Sequence, residues 1–320
     1  MRENSNPRIL FIGVSTGASR IMDLFPRWAS QFGTSAELVG VDLPLDATRE
    51  RYRRVVDTIA THDDVLGAVI TSHKLTLLAA ARDLFSGCDE LSHMTREANA
   101  ISKRGGLVAH ARDPLAIVET FNELWGTRGW PVRDQHVLCF GAGGAATAIA
   151  LALLQDVGET DLPPRVVRPE TMHFVDIRAE RLAALERLVQ ELGASELCEF
   201  HLHLQPSEND ALLLRLPSQS LVINATGMGK DLPGAPVSSD AQFPSGAIVW
   251  DLNYRGELEF LQLARAQERA RQLRVYDGWS YFLHGWMQAL QPILGPLPDA
   301  DLIIRNSPRH PSGHGRGASL

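Results

Sequence analysis

Short apolar runs alternate with stretches of helical period along the first third of the chain. Arg8–Val14 reads as a strand, Met22–Phe32 as a helix, Ala36–Val41 as a second strand, Thr48–Ile59 as a charged amphipathic helix and Val65–Thr71 as a third strand. A second series begins at Gln135. There VLCF is a strand, GAGGAA a tight turn and TAIALALL an Ala-rich helix, followed by a strand at 172–177 and a helix over Ala179–Leu192. Further strands are predicted at Glu199–His203, Leu221–Asn224 and Ile248–Leu252, with a helix over Leu258–Leu273. Strand-then-helix order, repeated in this way, predicts an α/β protein built on mostly parallel sheets covered by helices. The Pro-containing stretch from Asp156 to Glu170 interrupts the pattern as a long loop. The closing NSPRHPSGHGRGASL has no periodicity, so a disordered tail is expected over 305–320.

Composition narrows the function classes. A chain of 320 residues gives a soft prior of two domains. Its 44% hydrophobic and 22% charged residues are ordinary globular usage. The net charge of -7 offers no general attraction to phosphate backbones, so a nucleic-acid partner is not expected. The longest apolar run, Ala145–Leu154, is too short for a membrane span, and the N-terminal stretch lacks a cleavage site behind its apolar run. A cytoplasmic location is therefore expected. Cys88, Cys139 and Cys198 are too few and too scattered for a disulfide framework or a zinc pattern. His201 and His203 share one face of a strand, but the pattern supplies no third ligand, and His310 and His314 lie in the tail. No metal is expected.

The glycine turn carries the first chemistry. Gly141, Ala142, Gly143, Gly144, Ala145 and Ala146 fit G-x-G-x-x-G/A, with Ala in the last place, between a strand and a helix. Glycine is needed because a side chain would hold the backbone away from a pyrophosphate. The helix that follows turns its free N–H groups and positive dipole end toward that charge. Asp176 ends the next strand, where a carboxylate hydrogen-bonds the adenosine 2′-hydroxyl and repels a 2′-phosphate, which favours NAD over NADP. It lies 35 residues beyond Gly141, against the usual twenty or so, and the 156–170 loop absorbs the excess. Arg178 keeps NADP possible, and a strand-end Asp can also simply cap the next helix. Asn224, Ala225, Thr226 and Gly227 end a later strand at the face where open α/β sheets bind ligands.

With those residues in view, the chain resembles the shikimate dehydrogenase and quinate/shikimate dehydrogenase superfamily across about residues 8–304. GAVITSHK (67–74) is similar to the family's G-x-N-V-T-x-P-H-K, REANAIS (96–102) to its G-A-V-N-T-V, and GGLVAHARD (105–113) to its G-x-L-x-G-x-N-T-D. GAGGAA, LVINATGMG (221–229), WDLNY (250–254) and DGWSYFLHG (277–285) follow in the family's order. The resemblance implies a substrate domain over 1–116, completed by helices returning over 278–304, and a Rossmann-type NAD(P)-binding domain over 117–277. It implies that Lys74 and Asp113 form a catalytic pair in the cleft between the domains, Lys74 moving the proton that hydride transfer at a secondary alcohol requires. It further implies substrate contacts from Ser15, Thr16, Ser19, Thr71, Asn99, Tyr254 and His284, and a cofactor contact from Gly278. Simpler roles stand beside these: turn hydroxyls for the serines and threonines, a turn amide for Asn99, packing for Tyr254, and a structural imidazole for His73.

Departures cluster in the substrate segments. Ala68 and Ile70 stand where the family pattern has Asn and Thr, Ser72 where it has Pro, Ala111 and Arg112 where it has Asn and Thr, Gly285 where it has Gln, and Tyr281 where it has Met. A buried polar contact left without its partner costs about 1–3 kcal/mol, so a site altered this often should bind shikimate poorly. The expected activity is NAD-preferring oxidation or reduction of a small molecule, a hydroxylated and carboxylated ring or a polyol, by a monomer or homodimer. A ligand-binding protein that kept the fold without turnover is the alternative, and folate-linked dehydrogenation is a weaker third reading.

Overall fold

The computed structural model describes residues 6–125, 136–155, 168–230 and 232–308, and contacts divide the chain into two units. The first comprises residues up to Ala116 together with His284–Ser307; the second holds Ile117–Leu283. In the first unit β1 (Arg8–Gly13) is buried over almost its whole length because parallel neighbours flank it on both sides. These neighbours are β2 (Glu37–Asp42) and β3 (Val65–Ile70), reached through α1 (Ile21–Gln31) and α2 (Arg49–Thr61). Each helix buries one stripe: Ile21, Leu24, Phe25 and Trp28 in α1, and Tyr52, Val56 and Ile59 in α2.

The sheet is mostly parallel, as expected, but beyond β3 and α3 (Lys74–Ala81) it takes in one antiparallel hairpin. After β4 (Gly87–Cys88) and α4 (Glu90–Thr95), β5 (Ala100–Ser102) and β6 (Val108–His110) form a hairpin, and the order across the sheet is β2-β1-β3-β5-β6-β4. β5 runs antiparallel to both β3 and β6. Strands of two or three residues carry too little alternation to register as apolar runs. Their consequence for the site is large. Val69 pairs with Ala100 and Ala100 with His110, so residues 96–99 and 111–113 arrive at the end of β3 where α3 starts.

The second unit follows the sequence reading more closely. It holds β7 (His136–Phe140), β8 (Thr171–Asp176), β9 (Cys198–Leu202), β10 (Leu221–Asn224), β11 (Ile248–Asp251) and the unforeseen edge strand β12 (Arg274–Tyr276). All pairings are parallel and the order is β12-β11-β10-β7-β8-β9. Renumbered within the unit, this is the 3-2-1-4-5-6 order of a doubly wound dinucleotide fold, with its reversal between β7 and β10. After α5 (Asp113–Trp125), which carries the chain in, the unit's helices are α6 (Gly144–Leu154), α7 (Ala179–Glu191), α8 (Pro206–Leu213) and α9 (Glu259–Arg271).

The chain returns to the first unit within α10 (Trp279–Leu294) and ends in α11 (Ala300–Asn306). Arg305 and Asn306, expected in the tail, instead close this helix. Ser307 is buried, donating to the Ile303 carbonyl and accepting from the Trp28 indole N–H at 3.0 Å. A hydroxyl satisfied on both sides anchors the segment where periodicity gave no signal. The Asp156–Glu170 loop, apart from 168–170, and the tail from residue 309 lie outside the described residues. The three cysteines are free thiols, and among the described residues no helix is long and apolar enough to cross a membrane.

Candidate functional site

β3 ends at Ile70, and the turn after it is fixed by His73. Its ring is buried, Nε2 donating to the Leu43 carbonyl at 2.9 Å and Nδ1 accepting from the Tyr52 hydroxyl at 2.9 Å. Held between a carbonyl and a hydroxyl on opposite sides, this imidazole is an anchor. It determines where Lys74, the first residue of α3, emerges. The Lys74 ammonium donates to Asp113 Oδ2. Asn99 holds the same carboxylate from its other side, donating through Nδ2 to Oδ1 at 2.6 Å, while its own Oδ1 accepts the Arg112 backbone N–H at 2.8 Å. Asp113 opens α5, where a negative charge also meets the positive end of the helix dipole.

Glu97 is the residue here that sequence reasoning passed over. It stands at the Ala of the family's G-A-V-N-T pattern, and Arg96 before it takes the left-handed conformation (φ 57°) at the Gly position. Burial, against the pull of the Lys74 charge and with a push from Asp113, raises the Glu97 carboxyl to about 7. Burial also presses Lys74 downward, but the charges of Asp113 and Glu97 and the hydrogen bond that Lys74 donates to Asp113 outweigh it, and its net shift is upward. The site therefore holds a protonated amine bonded to Asp113 and within electrostatic reach of Glu97, a proton source for an oxygen placed beside it.

The Glu97 shift has a pH signature. Between its ordinary value of 4.5 and about 7 the folded chain retains a proton that the unfolded chain has lost, so stability falls as pH rises through that window. Glu97→Gln does not titrate. Chemical-denaturation curves should show the variant equal to the parent at pH 4 and more stable by about 3 kcal/mol at pH 8. A constant difference across that range would mean that Glu97 does not hold its proton.

The other expected substrate contacts divide. Thr16 and Thr71 lie together around Gly13, where a Cβ would meet Thr71 Oγ1 at 3.0 Å and Thr16 Cγ2 at 3.1 Å. The Thr16 hydroxyl donates to Asp42 at 2.6 Å, which uses its one hydrogen within the fold. Thr71 and Ser15 are exposed, and Ser19 is half-buried. Ala68 and Ile70, the apolar replacements, are absorbed into the core cluster with Ile12, Leu77 and Leu78. Arg112 reaches Gln288 and Gln291 of α10, each at 3.2 Å, so this replacement joins the hairpin to the returning helix. His284 is buried in α10, and a Cβ at the neighbouring Gly285 would meet nothing within 4 Å. Tyr254 belongs to the second unit, its ring packed against Phe282 at 4.5 Å and Trp279 at 5.6 Å.

In the second unit the glycine turn joins β7 to α6 beside the point where strand order reverses. Gly141 has φ +103° and donates to the Val175 carbonyl at 2.6 Å; a Cβ there would meet the Ala225 carbonyl at 2.9 Å. Gly143, by contrast, has only the Arg181 guanidinium, at 4.0 Å, within reach of a Cβ, so its backbone is open to a pyrophosphate ahead of Gly144 and Ala145 in the first turn of α6. Asp176 is bound into the same turn, Oδ2 accepting the Ala142 N–H at 2.8 Å and Oδ1 the Arg178 N–H at 2.9 Å. Arg181 Nη1 stands 3.9 Å from Asp176. Across the reversal, Asn224 is fully buried and its amide is spent internally, on Thr226 at 2.6 Å and Asp251 at 3.1 Å. It shapes the Ala225–Gly227 turn from behind. Burial pushes Asp251, another residue missed in the sequence, up to about 7.

This order of parallel strands, with an open glycine turn and an acid at the next strand end, defines a dinucleotide-binding α/β unit, and its companion unit carries a Lys–Asp–Asn cluster. No family model matches the chain. It is 28% identical over 262 residues to the shikimate dehydrogenase (NADP(+)) of Streptococcus gordonii, an alignment spanning 80% of this chain and 81% of that protein. It is 29% identical over 246 residues to the shikimate dehydrogenase (NADP(+)) of Glaesserella parasuis, over 75% and 76% of the two chains. Among solved structures, quinate dehydrogenase from Corynebacterium glutamicum in complex with NAD matches with a TM-score of 0.73 at 19% identity, over 94% of this chain and 98% of that one. The chain is thus similar to shikimate dehydrogenases over most of its length, in line with the resemblance of its ordered motifs.

Proposed function

We propose that this protein is a nicotinamide-dependent dehydrogenase acting on a secondary alcohol of a hydroxylated ring, with Lys74 and Asp113 as the proton-transfer pair and NAD as the preferred cofactor. The observation that carries the reading is the contact of a buried-side ammonium with a carboxylate that Asn99 orients. Lys74 protonates or deprotonates the substrate oxygen, and Asp113 fixes the ammonium and shares the hydroxyl hydrogen bond. Asn99 retains one N–H and one lone pair for a second hydroxyl. Gly141–Ala145 and the Ala225–Gly227 turn would hold the dinucleotide, whose nicotinamide supplies the hydride acceptor. The curated relatives are named for NADP(+), whereas the solved quinate dehydrogenase binds NAD. Asp176 supports NAD here.

The substrate is expected to differ from shikimate, because Ala68, Ile70, Ala111 and Gly285 present no polar group where the family pattern has four. Purified protein with NAD or NADP, offered quinate, shikimate, aminated analogues and cyclitols, should reduce the nucleotide with at least one non-shikimate alcohol. Nucleotide binding without turnover across the panel would favour a binding protein instead. Asp176→Asn keeps an acceptor for the Ala142 N–H and removes the charge. The ratio of kcat/KM for NAD to that for NADP should then fall at least about tenfold, equivalent to about 1.4 kcal/mol. An unchanged ratio would show that Asp176 only braces the turn.

A further inference from the structure

The parallel register of the second unit brings together side chains that no sequence motif joins. His173 of β8 stands opposite Glu199 of β9, and Val175 opposite His201, so His173, Glu199 and His201 share one face of the sheet. His173 Nδ1 lies 3.3 Å from His201 Nε2 and 3.3 Å from Glu199 Oε2, and those two atoms are 3.5 Å apart. Three donors around a tetrahedral ion at about 2.0–2.1 Å are separated by about 3.3–3.4 Å. The observed triangle has that size. We propose that His173, Glu199 and His201 bind one divalent transition-metal ion of the zinc class, with the fourth position open to water or an added ligand.

The surroundings fit this assignment. The remaining nitrogen of His173, Nε2, is 3.4 Å from His136 Nδ1 on β7, an outer partner of the kind that orients a ligating imidazole. Glu199 is exposed and supplies both a negative charge and an entry path. Two imidazoles and one carboxylate suit zinc, cobalt or nickel rather than calcium or magnesium. His203, paired with His201 on sequence grounds, is instead held through Nδ1 by Asn209 at 2.7 Å and lies outside the triangle. A bound ion would fasten β9, an edge strand, to β8.

The test is a Co²⁺ titration of full-length, chelator-stripped protein followed by visible absorption, with Zn²⁺ displacement. One saturable equivalent with the strong bands of a four-coordinate ion is expected, unchanged in His203→Ala and in the His310→Ala/His314→Ala double variant. Affinity should fall by about 100-fold or more in Glu199→Gln and His201→Ala. Zn²⁺ should raise the apparent Tm of the parent but not of Glu199→Gln, an exposed position whose change leaves folding intact. Absence of saturable binding by the parent, binding retained in both Glu199→Gln and His201→Ala, or loss in the tail variant would overturn the site.

Discussion

Turnover of the Lys74→Ala variant is expected to fall by about 10²–10⁴ on the alcohol that the parent oxidises, with nucleotide affinity unchanged within about twofold. The two halves of that expectation have separate physical sources. Lys74 touches Asp113 in the first unit, whereas the glycine turn is held by the Val175 carbonyl and Asp176 in the second. Lys74→Arg separates charge from proton transfer. A guanidinium can pair with Asp113 but does not release a proton near neutral pH. If Lys74 moves the proton, Arg should be nearly as inactive as Ala; if it only balances Asp113, Arg should retain most activity. Parallel loss of turnover, nucleotide affinity and melting temperature in Lys74→Ala would make the residue structural, and the proposed chemistry would fail with it.

What the sequence revealed of this arrangement follows from how each element is buried. Strands covered on both faces, such as β7 and β10, read as nearly continuous apolar runs, and the glycine turn is legible because its conformation needs glycine. The β5–β6 hairpin was invisible, yet it is what carries Asn99 and Asp113 to Lys74. Only the resemblance joined Lys74 to Asp113 in advance, since no local period relates residues on α3 and α5. Glu97 was missed for a different reason: a glutamate in a short polar stretch reads as surface, and its burial is set by the hairpin. The histidine cluster failed through register. His201 and His203 were visible as alternate residues of one strand, but the triangle joins His201 to Glu199 of that strand and to His173 of its neighbour, and pairing register is not written in either strand alone.

Gly278→Ala is expected to destabilise the protein by about 3 kcal/mol, at the upper end of overpacking costs, and to lower the apparent Tm by about 6–12 °C. Gly278 lies between the exit of β11 and the start of α10, where its N–H donates to the Asn253 carbonyl at 3.0 Å. A Cβ would stand 1.9 Å from the Leu252 carbonyl oxygen and 2.3 Å from its carbon. Both are backbone atoms that no rotamer change can move. Relief requires shifting Leu252 and Asn253, and Asn253 braces the nucleotide-side turn through the Thr226 and Met228 carbonyls at 3.2 and 3.0 Å. Nucleotide affinity should therefore fall along with stability, although Gly278 presents no side chain to a ligand. Gly285 provides the control. It lies within α10, and a Cβ there meets nothing within 4 Å, so Gly285→Ala should stabilise by about 0.5–1 kcal/mol through helix propensity alone. Thermal melts of the two variants should move in opposite directions. Equal, small shifts would show that the approach of Gly278 to Leu252 is slack, and the close approach would no longer account for glycine at this position.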